Sequence, residues 1–236
     1  MKLARCFALL GLVAAGSLSL PAMTLAPIPV VVVKAAHVIE PASGKVLQNQ
    51  AILIEGDKVK SIGDAASLAI PAGAKVIDLG DVTVLPGLID CHTHVTGQPE
   101  NFYEDKFRKS PIDKAVVAPI YARRTLLAGF TTIRNVGARD YLDFAVRKAI
   151  NAGKVPGPRM QASGPSLSAT GGHGDLNGMS PNLHFEGEIG GVADGVDAIR
   201  KKIRENVKYG ADVIKIHATA GVSARRSLPN LCCLIP

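Results

Sequence analysis

The most restrictive feature of this sequence is the regular alternation of short β-branched segments with longer helical segments that begins at Val82. The short segments predict four strands, at residues 82–89, 130–135, 159–162 and 212–217. The segments between them predict three helices, at residues 112–128, 141–152 and 195–209, the second with Asp140 as its N-cap. Repeated strand–helix units require a parallel sheet, so the predicted fold class is α/β. No glycine-rich nucleotide loop follows the first strand, which favours an incomplete (β/α)8 TIM-type barrel over a doubly wound nucleotide fold.

The chain starts with a segment that is typical of a secretory signal peptide. Lys2 and Arg5 precede an apolar run of small residues at 6–20, and a proline and further small residues follow it. This layout predicts a signal peptide over residues 1–26 and export to the periplasm or the extracellular space. The run is too short for a comfortable membrane span, so no stable span is expected after cleavage. An uncleaved N-terminal anchor is the alternative.

Residues 27–81 carry short β-branched runs, such as 30–33, that are separated by Gly and Asp turns. This pattern predicts a small β-sandwich-like domain ahead of the barrel segment at 82–222. His37 falls in this domain and is predicted to be a surface or structural histidine. The last residues, 223–236, lack barrel periodicity and are interpreted as an aberrant tail.

Composition excludes several other classes of function. The chain has 236 residues with a net charge of +7, yet its basic residues are scattered and aromatic residues make up only 4%, so nucleic-acid binding is not expected. Hydrophobic residues make up 47%, which is enough to form a globular core and argues against disorder. The spacing of the four cysteines fits neither a disulfide framework nor a zinc ribbon.

The strongest local signal is the run 85–94, which reads LPGLIDCHTH. Successive side chains of a strand alternate between its two faces, so His92 and His94 are expected to point the same way. Two imidazoles at the carboxyl end of the first barrel strand can bind one metal ion, at the end of a barrel where active sites form. The spacing alone is also compatible with two histidines on an ordinary sheet face.

In this context the chain resembles the amidohydrolase superfamily, and within it the branch related to imidazolonepropionase. The residues that carry the resemblance are the run 86–94 after a β-rich segment, the second-strand segment 128–135, the loop 169–175 and the fourth-strand segment 212–217. Exported members of this branch act as metal-dependent Xaa-Pro dipeptidases or peptide carboxypeptidases. The resemblance covers about residues 30–222.

The resemblance implies a role for each matching residue. His92 and His94 would bind a divalent metal ion, expected to be Zn²⁺, in a site that holds two ions in the intact family. Lys215 would bridge these ions as a carbamate formed with CO₂; without the resemblance it would be interpreted as a strand-end lysine that reaches solvent. His173 and His217 are candidates for substrate binding. The implied reaction is attack of a metal-activated hydroxide on the amide bond of a small peptide or N-acyl amino acid.

The sequence departs from the family after the fourth strand. The general-base Asp of the eighth strand and the two histidines of the fifth and sixth strands are absent, so the chain is interpreted as a C-terminally truncated member that is inactive alone. One alternative is a mononuclear deaminase-like or cyclic-amidase-like hydrolase, which Lys215 argues against because a carbamate bridge belongs to binuclear sites. Another is a non-catalytic metal-binding or complementing fragment. Homo-oligomerisation and the substrate side chain are left open.

Overall fold

The structure is a computed structural model that describes residues 28–97, 108–178, 180, 182 and 190–219. The predicted signal peptide and the tail at 223–236 lie outside the described residues. The chain divides between Leu85 and Pro86 into two compact units, which are described separately below. Within the described part of the chain, no helix has the length and apolar character needed to cross a membrane.

The first unit is built on one five-stranded sheet. Its strands are β1 (Val30–Glu40), β2 (Lys45–Glu55), β3 (Lys58–Asp64), β4 (Lys75–Asp78) and β5 (Thr83–Val84). The strand order is β3-β2-β1-β4, and β5 also pairs with β1. Neighbours β1, β2 and β3 are antiparallel, whereas β4 and β5 run parallel to β1. The expected sandwich-like packing is not confirmed, since these five strands form a single sheet.

The second unit alternates strands and helices. Its elements are β6 (Leu88–Thr93), α1 (Pro111–Leu127), β7 (Phe130–Asn135), α2 (Leu142–Asn151), β8 (Arg159–Ala162), β9 (Leu167–Ser168), β10 (Gly191–Val192) and α3 (Val196–Tyr209). Strands β6, β7 and β8 form a parallel sheet in that order, and β9 and β10 form a separate parallel pair. This α/β arrangement is consistent with part of a TIM-type barrel.

The core of the second unit lies between its parallel sheet and the first two helices. Ile133 of β7 is 1% exposed and packs with Ala118 and Ala122 of α1, Phe144 of α2 and Met160 of β8. Complete burial of one such isoleucine side chain stabilises the fold by about 1.5–3 kcal/mol. The small side chains of Ala118 and Ala122 let α1 approach the sheet closely.

Two expected boundaries are wrong. The strand predicted at 82–89 is divided, with Thr83–Val84 in the first unit and Leu88–Thr93 in the second, because Pro86 has no N–H to donate to a ladder. Asp140 does not cap α2: it lies in a 3₁₀ turn with φ of 54°, and Tyr141 occupies the N-cap position without a side-chain hydrogen bond.

The fourth predicted strand, at 212–217, is also not a regular strand. The segment forms one isolated parallel bridge, between Ile216 and Leu167. It is nevertheless fixed to its neighbours, because Asp212 N donates to Ala162 O at 2.9 Å and Leu167 N donates to Lys215 O at 2.8 Å. A regular fourth strand would need a continuous neighbouring strand to pair with. β8 ends at Ala162 and β9 begins only at Leu167, so backbone pairing along this edge is interrupted.

Candidate active site

The two histidines of the sequence motif lie at the carboxyl end of β6. Their ring centroids are 5.7 Å apart, and the rings meet in an edge-on arrangement with an interplanar angle of 68°. Both side chains are exposed. The backbone N of His92 donates to Asp90 Oδ1 at 2.9 Å, which fixes the main chain just before the pair. The fold therefore holds the imidazoles of His92 and His94 side by side at the strand end.

His94 is held by a carbonyl from the loop after β7. Its Nδ1 lies 3.3 Å from Gly137 O. A carbonyl oxygen only accepts hydrogen bonds, so Nδ1 carries the proton and Nε2 keeps a free lone pair. Partial desolvation by the surrounding protein atoms lowers the pKa of His94 although part of the residue is exposed, the bond to Gly137 raises it, and the nearby charges of His92, Lys215 and His173 lower it further. Neutral imidazole with Nε2 free is the form that binds a metal ion.

Lys215 and His217 come from the irregular segment that follows α3. Leu167 holds this segment on both sides of Ile216, because its N–H donates to Lys215 O and its carbonyl accepts from His217 N, each at 2.8 Å. Asp212 anchors the start of the segment through an ion pair with Arg147. The residues at 215 and 217 are half-buried, and the contacts on Leu167 bring them towards β9 and the loop after it.

His217 packs against His173 from the loop after β9. The ring centroids are 4.7 Å apart with an interplanar angle of 73°. The Nδ1 atoms of both rings are buried and have no hydrogen-bond partner. Burial lowers the pKa of His217 to about 4, and the charges of His173, Lys215, His94 and His92 add to this effect. Both rings therefore have polar atoms available for a ligand.

The loop that carries His173 has little freedom next to this pair. A Cβ atom at Gly174 would lie 2.8 Å from His217 Nδ1 and 2.8 Å from Ser168 Cβ, so only glycine allows this close approach. Asp194 also holds the loop, because its carboxylate accepts from the backbone N of Thr170 at 3.0 Å and from the hydroxyl of the same residue. These contacts hold the loop in the conformation in which His173 packs against His217.

The structure brings all five predicted site residues together. His92 lies beside His94, His173 packs against His217, and the charges of His92, His173 and Lys215 act on both His94 and His217, so the two histidine pairs and the lysine are neighbours. They come from the end of β6, the loop after β9 and the segment after α3. The His92–His94 pair provides nitrogen ligands for a metal ion, and the other two imidazoles and the amine provide donors for an anionic substrate group.

The residues present fit part of a divalent metal site. His92 and His94 supply two imidazoles, and the tautomer of His94 leaves its Nε2 free. No group of three His, Cys, Asp or Glu side chains converges as a metal site within the described residues. A third ligand from this cluster would have to be Lys215, which can bind a metal through oxygen only as a carbamate.

Two buried residues near the site were not predicted from the sequence. Asn135 and Asp143 are both 0% exposed and hydrogen-bond to each other, with Asn135 Nδ2 and Asp143 Oδ2 at 3.2 Å. Asn135 ends β7, and the position of a polar residue at the carboxyl end of a parallel strand is the signal that could have identified it. His37 lies in the first unit, where its Nδ1 is 3.7 Å from Asp81, which agrees with its interpretation as a structural or surface residue.

Comparison with known proteins identifies the family. The model of the amidohydrolase family matches residues 83–229, which is more than half of the chain, so the chain belongs to the amidohydrolase family. It is 31% identical to ochratoxinase from Aspergillus niger over 85% of this chain and 45% of that protein. A shorter region, 26% of this chain and 16% of its relative, is 44% identical to imidazolonepropionase from Pseudomonas savastanoi pv. phaseolicola.

Solved structures show the same relationship. The fold is similar to that of a Xaa-Pro dipeptidase crystallised with methionine in its active site, with a TM-score of 0.74 and 33% sequence identity over 81% of this chain and 48% of that one. The chain thus spans about half the length of the relatives that it matches. The predicted family and the relation to imidazolonepropionase and Xaa-Pro dipeptidases are confirmed.

Proposed function

We propose that this chain carries the first metal ligands and part of the substrate site of a metal-dependent amidohydrolase that cleaves the amide bond of small peptides, with Xaa-Pro dipeptides as the preferred class. The observation that carries the proposal is the convergence of His92, His94, His173, Lys215 and His217 from three distant segments. Similarity to a Xaa-Pro dipeptidase with an amino acid in its active site supports the substrate class.

Each residue of the cluster has a role in this proposal. His92 and His94 bind a divalent ion, expected to be zinc, and Lys215 joins them as a carbamate. When bound, the metal supplies acidification of a water molecule and polarisation of the scissile carbonyl. His173 and His217 contact the substrate, and their unpartnered nitrogens suit a carboxylate or carbonyl group. Exclusion of bulk water by this half-buried pair strengthens those contacts.

A second candidate function is that of a metal-binding fragment without catalytic activity of its own. One observation favours it: the described residues supply two imidazoles and a lysine, but no carboxylate, to the metal position. On this basis the isolated 236-residue chain is expected to bind zinc but not to hydrolyse dipeptides.

Zinc content and dipeptide hydrolysis test both candidates. The purified chain is equilibrated with Zn²⁺, dialysed and assayed for bound metal and for cleavage of Met-Pro and Ala-Pro. The variant with His92→Ala and His94→Ala is expected to lose the bound zinc, whereas the control His37→Ala should retain it. Zinc content that is unchanged in the double variant would refute the assigned ligands.

The hydrolysis result separates the two candidates. Cleavage of dipeptides that His92→Ala abolishes would show that the chain completes an active site by itself and would refute the fragment interpretation. Zinc binding without cleavage would support it. In that case the ring signals of His173 and His217 in NMR spectra should still shift on addition of Met-Pro, and their failure to shift would refute the substrate assignment.

A further inference from the structure

We propose that Asn135 and Asp143 are positioning residues for His94, which together fix the tautomer and the main-chain position of this imidazole. The proposal rests on the function proposed above in one respect, namely that His94 is a metal ligand. The structure carries it through a continuous set of hydrogen bonds that starts in the interior of the unit and ends at the His94 ring.

The Asn135 side chain binds two main-chain groups next to His94, the N–H of Val95 and the carbonyl of Gly137. Its Oδ1 accepts from the backbone N of Val95, the next residue after the histidine, at 2.8 Å. Its Nδ2 donates to Gly137 O at 3.3 Å, and the same carbonyl lies 3.3 Å from His94 Nδ1. One buried amide therefore fixes the chain that leaves His94 and the carbonyl that its ring contacts.

Asp143 fixes the orientation of the Asn135 amide. Its Oδ2 accepts from Asn135 Nδ2 at 3.2 Å and from Gly164 N at 2.9 Å, and its Oδ1 accepts from Phe144 N at 3.1 Å. A flipped amide would turn Oδ1 towards the Asp143 oxygen and Nδ2 towards the Val95 N–H, so that acceptor would face acceptor and donor would face donor. The observed orientation is the one that avoids both conflicts.

The Gly137 carbonyl, which Asn135 holds in place, determines which nitrogen of His94 carries the proton. Gly137 O accepts from Asn135, and as a carbonyl it can bond to the His94 ring only through a protonated Nδ1. The lone pair is then on Nε2, where a metal ion can bind it. Hydrogen bonds of this kind behind a ligating histidine fix its tautomer, and their loss typically weakens metal binding by about 10–100-fold.

The polar character of the pair supports positioning rather than packing alone. Burial of an amide and a carboxyl group is unfavourable unless each polar atom has a partner, and apolar side chains of similar volume would fill the same space at lower cost. The side-chain hydrogen bonds of Asn135 and Asp143 join the two residues to each other and to four main-chain groups. These groups are Val95 N and Gly137 O beside His94, Gly164 N in the loop after β8, and Phe144 N at the start of α2. The pair therefore connects the core to the imidazole that we assign to the metal.

The test compares Asn135→Ala with the matched control Asn206→Ala in the full-length chain. Asn206 is 1% exposed and its Nδ2 donates to two carbonyls, Ser163 O at 3.2 Å and Pro165 O at 2.8 Å, and neither bond is made to His94, Asn135 or Asp143. The two variants thus remove the same buried amide from two places. Circular dichroism and urea unfolding report the general loss of stability in each.

Two readouts report positioning specifically. In the metal-free protein, the ¹⁵N chemical shifts of the His94 ring are expected to show a single tautomer protonated at Nδ1, and Asn135→Ala should produce a mixture. Zinc affinity, measured by competition with a chelating dye, should fall by about 10–100-fold in Asn135→Ala. Asn206→Ala should change neither quantity.

A second variant covers the case in which Asn135→Ala does not fold. Asp143→Asn keeps the shape of the side chain but removes one of the two conflicts that hold the Asn135 amide in its orientation, so the Gly137 carbonyl is held less firmly and the Nδ1-protonated tautomer should lose part of its dominance. The proposal is overturned if the tautomer and the zinc affinity are unchanged in the folded variant, or if Asn206→Ala changes them equally. If the wild-type chain binds no zinc but the tautomer responds as expected, the proposed metal function fails and the positioning role stands.

Discussion

Replacement of Asp143 by alanine is expected to destabilise the second unit strongly. Asp143 is 0% exposed and accepts three hydrogen bonds, from Asn135 Nδ2, Gly164 N and Phe144 N. The variant leaves the backbone N–H groups of Gly164 and Phe144 and one N–H of the Asn135 amide without an acceptor, and each unpaired donor costs about 1–3 kcal/mol. Relief from burying the carboxyl group and entry of water offset part of this loss, so the expected decrease in the free energy of unfolding is about 3–5 kcal/mol.

Tyrosine fluorescence during urea unfolding measures this decrease in the relevant unit. All four tyrosines lie after residue 86 and the chain has no tryptophan, so the signal reports the second unit alone. Asp140→Asn is the control, because Asp140 is exposed and does not cap α2, and asparagine tolerates its φ of 54°; the effect should stay within about 0.5 kcal/mol. A loss below about 1 kcal/mol for Asp143→Ala would refute the reasoning that this carboxyl group holds the interior together.

Asp143 should also make the free energy of unfolding depend on pH. Burial raises the pKa of Asp143 above its ordinary value of 3.8, against the opposing effect of its hydrogen bonds with Gly164, Asn135 and Phe144. Between the ordinary pKa of the unfolded state and the raised pKa of the folded state, the folded state binds more protons than the unfolded state. The stability that the protonated Asp143 contributes is therefore fully present below about pH 4 and is lost as the pH rises through the folded-state pKa. The stability difference between wild type and Asp143→Asn should therefore shrink as the pH rises from about 4. A difference that grows with pH would show that the pKa is lowered instead.

Two further variants test a helix end and the close approach at the site. In the capping box of α1, Ser110 Oγ accepts from Asp113 N at 3.2 Å and Asp113 Oδ2 accepts from Ser110 N at 2.8 Å. Ser110→Ala breaks this box and should lower the free energy of unfolding by about 1 kcal/mol in urea titrations. No change in that free energy would show that α1 does not depend on this cap. Gly137→Ala should weaken zinc binding about tenfold or more, since its Cβ would lie 3.3 Å from His94 Cε1 at a φ of 152°. Gly153→Ala is the control, because its φ is 66° and no atom lies within 4 Å of the added Cβ; equal zinc affinity in both variants would contradict a role for the contact.

The sequence predicted the elements of the second unit well because their patterns are local. The helix that ends before Gly129 and the strand at 130–135 follow from periodicity and from a C-terminal glycine, and both occur within one residue of their expected bounds. The segment at 212–217 was not predicted correctly, because its apolar run satisfies strand propensity whereas its pairing depends on how far β8 and β9 extend. Asp140 failed as a cap because the backbone around it adopts a left-handed conformation that side-chain preference does not reveal.

For the site residues too, local sequence patterns predict some positions, and others depend on tertiary contacts that the sequence does not reveal. His92 and His94 could be found from their spacing and from the residues before them. His173 and Lys215 could be found only through the resemblance to the family, since histidines in glycine-rich loops and lysines in apolar strands are common in proteins without a metal site. Asn135 could be suspected only from its place at the end of a parallel strand, and Asp143 gives no signal, because their shared role comes from a contact between a strand end and a helix start that no short motif encodes.

The distance along the chain between β6 and the segment after α3 links metal binding to the order of folding. His94 precedes Lys215 by about 120 residues, and contacts with Leu167, Ala162 and Arg147 hold the later segment in place. A nascent or partly unfolded chain can therefore present the first two imidazoles but not the complete cluster. A metal ion that prefers the complete cluster binds the folded state selectively and shifts the folding equilibrium towards it, by about 2.7 kcal/mol at a free concentration about one hundred times its Kd. Zinc availability would then govern how long the molecule survives proteolysis as well as what it can bind.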